Sequence, residues 1–178
     1  MTYVVAALAV TNALTLLNLL LLFGVIRRLR EQGDTPPGGL PGPRALPVGA
    51  QIEAFTTTDT DGRPLLRNEL PHGAVIGFFS PGCTPCEALL PKFVSYAERL
   101  PGGRQSALAV VVGTPEEAAG YVDRLSPAAR VVVEDVTGGV VKRAFGVTGY
   151  PTVFQLDGDG RLLVSDASSV DRLAVPAV

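Results

Sequence analysis

Ala74-Val75-Ile76-Gly77-Phe78-Phe79 is a continuous apolar run that stops at Ser80-Pro81-Gly82. Six apolar residues without alternation suit a short strand that is covered on both of its faces. From Thr84 the period changes. Leu89, Leu90, Phe93, Ala97 and Leu100 recur at helical spacing, and Pro101-Gly102-Gly103 marks the stop. A buried strand feeding directly into an amphipathic helix demands further helices on the opposite face, which excludes all-β and all-α layouts and predicts an α/β sheet.

The rest of the chain supplies the other layers. Residues 53–58 and 63–66 flank Thr60-Asp61-Gly62, a hairpin signal because Gly accepts the positive φ of a tight turn. Residues 107–112 and 131–133 read as two more buried strands. Between them Pro115-Glu116-Glu117 opens a helix to about Leu125, with Pro in the first turn and acids at the positive end of the dipole. A short helix is expected over 139–145, then a strand over 152–156, a turn at Asp157-Gly158-Asp159-Gly160 and a returning strand over 161–164. The tail, 167–178, has room for a brief helix at most, and there is no internal repeat.

Residues 1–26 carry no charged side chain, and Arg27, Arg28 and Arg30 follow them. As a helix, residues 3–26 would be roughly 36 Å long at about 1.5 Å per residue, enough to cross a bilayer's hydrocarbon core. A cleaved signal peptide expects a basic start and a shorter apolar stretch, so an uncleaved single-pass anchor with a basic flank, 1–30, is the expectation. Residues 31–50 hold five prolines and five glycines and read as a semi-extended tether. A single domain over 51–178 remains, with eleven Lys and Arg against fifteen Asp and Glu, a net of −4. Such a domain offers no basic stripe, so nucleic acid is not an expected partner.

Both cysteines of the chain, Cys83 and Cys86, lie in Ser80-Pro81-Gly82-Cys83-Thr84-Pro85-Cys86, where the strand ends and the helix begins. The first helical turn leaves N–H groups unpaired and stabilises an anion, so a thiolate there has a lowered pKa. A second thiol three residues on is close enough to resolve a mixed disulfide. Pro85 costs little in a first turn and stiffens the spacer. Three other readings compete. Zinc within one chain wants four ligands, and besides the cysteines only His72 is a ready nitrogen donor. Haem attachment needs His after the second Cys, where Glu87 stands. Two inert core thiols would be poorly hidden at such a junction. No cofactor and no metal are expected.

The run from Ala74 to Cys86, with Pro91 five residues on, resembles the active-site strand and helix of the thioredoxin-like superfamily. Gly149-Tyr150-Pro151-Thr152 resembles its cis-proline loop. The opening hairpin, the inserted helix and the anchor are similar to the redoxin branch, which includes membrane-anchored TlpA-, ResA- and MauD-type proteins. The resemblance covers roughly residues 48–166. It implies a thioredoxin-like mixed central sheet with helices on both faces, preceded by one transmembrane helix. It further implies Cys83 as attacking thiolate, Cys86 as resolving thiol and a cis Pro151. Tyr150, Pro151, Thr84 and Pro85 would face the substrate, with the Tyr150 backbone pairing with an extended client segment. Thioredoxins proper carry a buried acid where Gly77 stands and a Trp where Gly82 stands, and this chain has no Trp. The proton acceptor for Cys86 would then be Glu53, Glu87 or water, while His72, in a Pro-His-Gly turn, reads as a solvated loop residue.

The expected activity is membrane-tethered thiol–disulfide exchange with client proteins, chiefly as reductant, supplied by an upstream thiol electron donor. A peroxiredoxin-like thiol peroxidase and a non-enzymatic metal or haem-maturation chaperone are the alternatives. The basic flank after the span favours a cytoplasmic domain by the positive-inside bias, and the family resemblance favours the outer side of the cell membrane. The expectation adopted is an extracytoplasmic domain.

Overall fold

The structure, a computed structural model, describes residues 45–166 and, in the N-terminal run, residues 3, 4, 8, 12, 14–16, 18 and 19, which are helical and exposed. The chain divides into two compact units, Met1–Gly42 and Pro43–Val178. Among the described residues no helix is long and apolar enough to cross a membrane. The expected span over 3–26 and tether over 31–50 lie largely outside the described residues, and the tail from 167 wholly so.

A two-stranded antiparallel hairpin, β1 (Thr56–Thr58) and β2 (Pro64–Leu66), precedes the main sheet. That sheet contains β3 (Val75–Phe79), β4 (Ala107–Val112), β5 (Arg130–Glu134), β6 (Thr152–Leu156) and β7 (Leu162–Asp166), in the order β5-β4-β3-β6-β7. The pairs β3–β4 and β4–β5 are parallel, while β6 runs antiparallel to both β3 and β7. Every residue of β3 and β4 is buried, as an unbroken apolar run requires, and so is every residue of β6, its polar Thr152 and Gln155 included.

One face is covered by α1 (Thr84–Ala97) and α2 (Pro115–Leu125). Leu89, Leu90, Phe93 and Ala97 of α1, with Ala118, Tyr121 and Leu125 of α2, pack on Val75, Phe79, Ala109, Val111 and Val131. The other face is covered by the short α3 (Val140–Ala144) and by the segment around the opening hairpin. There Phe78, Phe145 and Phe154 form a triangle with ring centroids 5.0–5.7 Å apart, which also holds Phe55. The expectation of a mixed sheet with helices on both faces is met.

Boundaries differ where local geometry leaves no periodic signature. The helix after the cysteines ends at Ala97 rather than near Leu100, because Arg99 and Leu100 turn back to Tyr96 and Ala97 in tighter i→i−3 bonds. One-turn 3₁₀ segments at Arg67–Glu69 and Gly103–Ser106 were not foreseen for the same reason. The domain's contacts also begin inside the Pro- and Gly-rich stretch. Leu46 N–H donates to the Phe145 carbonyl and Gly49 N–H to that of Leu162, while Ala45, Leu46 and Ala50 pack on the core. Composition signals the absence of helix there but not the anchoring of its few apolar residues.

Two interactions set the frame. Asp59, almost wholly buried, accepts bonds from the N–H groups of Asp61 and Arg63 and from Arg130 Nε at 2.9 Å. Arg130 Nη2 also donates to the Pro64 carbonyl at 2.7 Å, so one ion pair clasps the hairpin turn to β5. In the centre of β3, Gly77 leaves room for two rings. A Cβ there would lie 2.7 Å from Phe93 and 2.8 Å from Phe79, whose edge-to-face pair locks α1 onto the sheet.

Asp59→Ala is expected to destabilise the fold by about 3–5 kcal/mol in urea unfolding, since it strands a buried guanidinium and frees the turn. Gly77→Ala is expected to cost about 1–3 kcal/mol in the same measurement, because a methyl group must displace two packed rings.

Candidate active site

The site grows from the strand–helix junction. β3 ends at Phe79, and the Ser80 hydroxyl donates to the Val112 carbonyl at 3.1 Å, tying the turn to the end of β4. Gly113 lets the same turn sit close: a Cβ at Gly113 would lie 3.1 Å from Pro81 Cδ. Gly82 takes a φ of 76°, open to glycine, and delivers the chain to Cys83 in extended conformation.

Cys83 is the N-cap of α1. Its Sγ accepts the N–H of Cys86 at 3.2 Å, the role an Asp or Ser oxygen fills at other helix starts. Its carbonyl receives the N–H groups of Cys86 and Glu87 at 3.0 and 3.1 Å. Cys83 and Cys86 are joined as a disulfide with Cα atoms 5.2 Å apart. The two sulfurs are unequal. Cys86 has no exposed surface and lies among the α1 core residues, whereas Cys83 is only partly covered. Thr84 and Pro85, between them, are both exposed.

Opposite stands the loop before β6. The Tyr150–Pro151 peptide bond is cis, and the Tyr150 carbonyl oxygen lies 3.7 Å from Cys83 Sγ. The Thr152 hydroxyl donates to the Gly149 carbonyl at 2.8 Å and braces that loop. Tyr150 itself is half-buried and packs on both halves of the core. Cys83, Cys86, Tyr150 and Pro151 are thus brought together, with Thr84 and Pro85 on the surface beside them.

The other residues weighed in the sequence lie apart. His72 is exposed at the start of β3, the end opposite the disulfide, where Nδ1 accepts the Gly158 N–H at 3.1 Å. Glu53 is exposed ahead of β1. Glu87 follows Cys86 but faces α2, pairing with Arg124 Nη1 at 2.8 Å. Its carboxyl is held below the usual range, first by the Tyr121 hydroxyl and then by the Arg124 guanidinium. That hydroxyl is buried and meets no strict hydrogen-bond geometry, so its effect is one of closeness; its own pKa is raised by burial and by Glu87. The acid missing at Gly77 is replaced by the rings of Phe79 and Phe93. Among the described residues no group of three or more His, Cys, Asp or Glu is placed to hold a metal ion.

Sequence reading passed over one neighbour of the site. Lys142, on α3, holds its ammonium 5.9 Å from the Tyr150 ring centroid. A single cation eight residues before Tyr150, on a helix of five residues, carries no pattern that spacing alone reveals.

No protein-family model matches the chain. Over 145 residues it is 30% identical to the thiol:disulfide interchange protein DsbE homolog of Paracoccus denitrificans, covering 81% of this chain and 75% of the relative. Among solved structures it is similar to a thio-disulfide isomerase from Thermus thermophilus, with a TM-score of 0.55 at 23% identity over 71% of this chain and 90% of that one. It is also similar to a secreted Mycobacterium tuberculosis disulfide oxidoreductase described as homologous to E. coli DsbE, with a TM-score of 0.52 at 19% identity over 65% of this chain and 87% of that one. These structures show the thioredoxin-like fold, and the relative in Paracoccus shows the family. With a disulfide spanning a strand–helix junction opposite a cis-proline loop, the chain belongs to the DsbE-like thiol:disulfide interchange proteins of the redoxin branch, and it is a disulfide oxidoreductase.

Proposed function

We propose that the chain reduces client disulfides through Cys83, with Cys86 as resolving thiol, from a domain tethered to the membrane. The observation that carries the roles of the two thiols is the inequality of the sulfurs: Cys83 is reachable beside the Tyr150 carbonyl, and Cys86 is sealed in the core.

In the reduced chain the Cys83 thiolate is stabilised by the Cys86 N–H and the first turn of α1. It attacks one sulfur of the client disulfide. The client S–S bond breaks, a Cys83–client mixed disulfide forms, and the first client sulfur leaves as a thiolate that takes a proton from water. Cys86 then attacks Cys83 Sγ and passes its proton to the second client sulfur, which leaves as a thiol. The chain is left with the Cys83–Cys86 disulfide. Two electrons have passed to the client, and a dithiol donor returns them. The leaving sulfur serves as acceptor because Cys86 is covered from water, Glu53 is exposed ahead of β1 and Glu87 is engaged by Arg124. Tyr150, Thr84 and Pro85 form the surface against which the client lies, its extended backbone along Tyr150, while Pro151 is buried and sets the course of that loop.

Cys83→Ser is expected to reduce turnover of a protein disulfide to background. Cys86→Ser is expected to accumulate the mixed disulfide, visible as a heavier band on a non-reducing gel; turnover surviving in Cys83→Ser would overturn the assignment.

The anchor rests on the uncharged run before Arg27, and an extracytoplasmic domain on the company of redoxin-branch relatives. Protease added to intact spheroplasts is expected to digest the domain without lysis. Protection until lysis would put the domain in the cytoplasm, as the Arg cluster alone would have it.

A further inference from the structure

We infer that Lys142 is a specificity residue that favours clients carrying an acidic side chain next to the attacked cysteine; this rests on the proposed exchange at Cys83. The Tyr150 carbonyl is 3.7 Å from Cys83 Sγ, and the Tyr150 ring is 5.9 Å from the Lys142 ammonium. An extended client advances about 3.3–3.5 Å per residue, so a segment whose cysteine meets Cys83 carries side chains a few residues from it past the Tyr150 backbone and toward Lys142.

The ammonium is available. Among the described residues it donates one hydrogen bond, to the Val136 carbonyl at 2.7 Å, and no carboxylate there lies within ion-pair distance of it. The two acids nearest in sequence are occupied. Glu134 is buried and accepts the backbone N–H groups of Val141 and Lys142 at 2.7 and 2.9 Å. Asp135 accepts the Thr137 N–H and hydroxyl at 2.8 and 2.6 Å, and Lys142 acts on it only through space. An ammonium keeps three donors, so two remain for a client carboxylate. The bond to Val136 and the Tyr150 ring hold it in place, so a client does not bear the whole cost of ordering a lysine side chain. In a domain of net −4, a cation fixed at this spot offers a client carboxylate a positive charge to meet.

The test uses the reduced full-length chain and three synthetic peptides, each with one internal disulfide, that differ only in bearing Glu, Gln or Lys at the positions flanking the cysteines. The wild type is expected to prefer the Glu over the Gln peptide by about two- to fivefold in kcat/KM, carried in KM, with the Lys peptide poorest. Lys142→Gln is expected to flatten the Glu-to-Lys ratio, Lys142→Glu to invert it and Lys142→Arg to retain it. Arg143→Gln, an exposed neighbour on the same helix, is expected to leave the ratio as in the wild type. Equal rates on all three peptides, an unchanged ratio in Lys142→Glu, or an equal loss in Arg143→Gln would overturn the inference while leaving the exchange reading intact. A wild type that reduces none of the peptides and no small-molecule disulfide would overturn both.

Discussion

Everything at the site depends on β3 being buried from both sides. Its odd-numbered residues meet α1 and its even-numbered residues meet the phenylalanine triangle, so the strand cannot shift without exposing one cluster or the other. Because β3 is fixed, the turn at Ser80-Pro81-Gly82 is fixed, and α1 starts where the Cys86 N–H meets the Cys83 sulfur. The Phe79–Phe93 pair is the weld: it spans strand and helix and stands in the space left by Gly77. Where thioredoxins proper are expected to carry a charged group, this chain has aromatic carbon. On the proposed exchange, Cys86 therefore finds no acid at the position of Gly77.

The fold was legible because its main elements announce themselves through unbroken apolar runs and a change of period. The strand at Ala107–Val112 and the helix at Pro115–Leu125 stand at their expected bounds, the latter because Thr114 and Glu117 close a capping box. What escaped was local or long-range. The 3₁₀ turns leave too few residues for a period, and the docking of Leu46 beneath Phe145 depends on contacts about a hundred residues apart. The pairing of Asp59 with Arg130, 71 residues on, is of the same kind: two charges in a sequence carry no mark that they will be buried together.

Of the candidate site, the placement of its residues was legible. Cys83, Cys86 and the Tyr150–Pro151 loop come together as their family resemblance implied, from segments 67 residues apart. Glu87 illustrates the limit of adjacency, for the neighbour of a buried cysteine on a helix is turned about 100° away and finds its partner on α2. Lys142 illustrates the converse. It joins the site only because the β5–α3 connection returns it to Tyr150.

The clasp between the hairpin and β5 reaches beyond stability. β5 is an edge strand of the sheet, and such an edge ordinarily offers unpaired backbone groups to any extended chain that arrives. Here the Thr60 N–H takes the Val131 carbonyl at 2.8 Å, and the Arg130 side chain is turned into the hairpin rather than left at the rim. Opening disulfides brings a protein into contact with loosened substrates rich in unsatisfied strands. A parallel edge partly covered by its own hairpin turn offers such strands fewer free backbone groups to join.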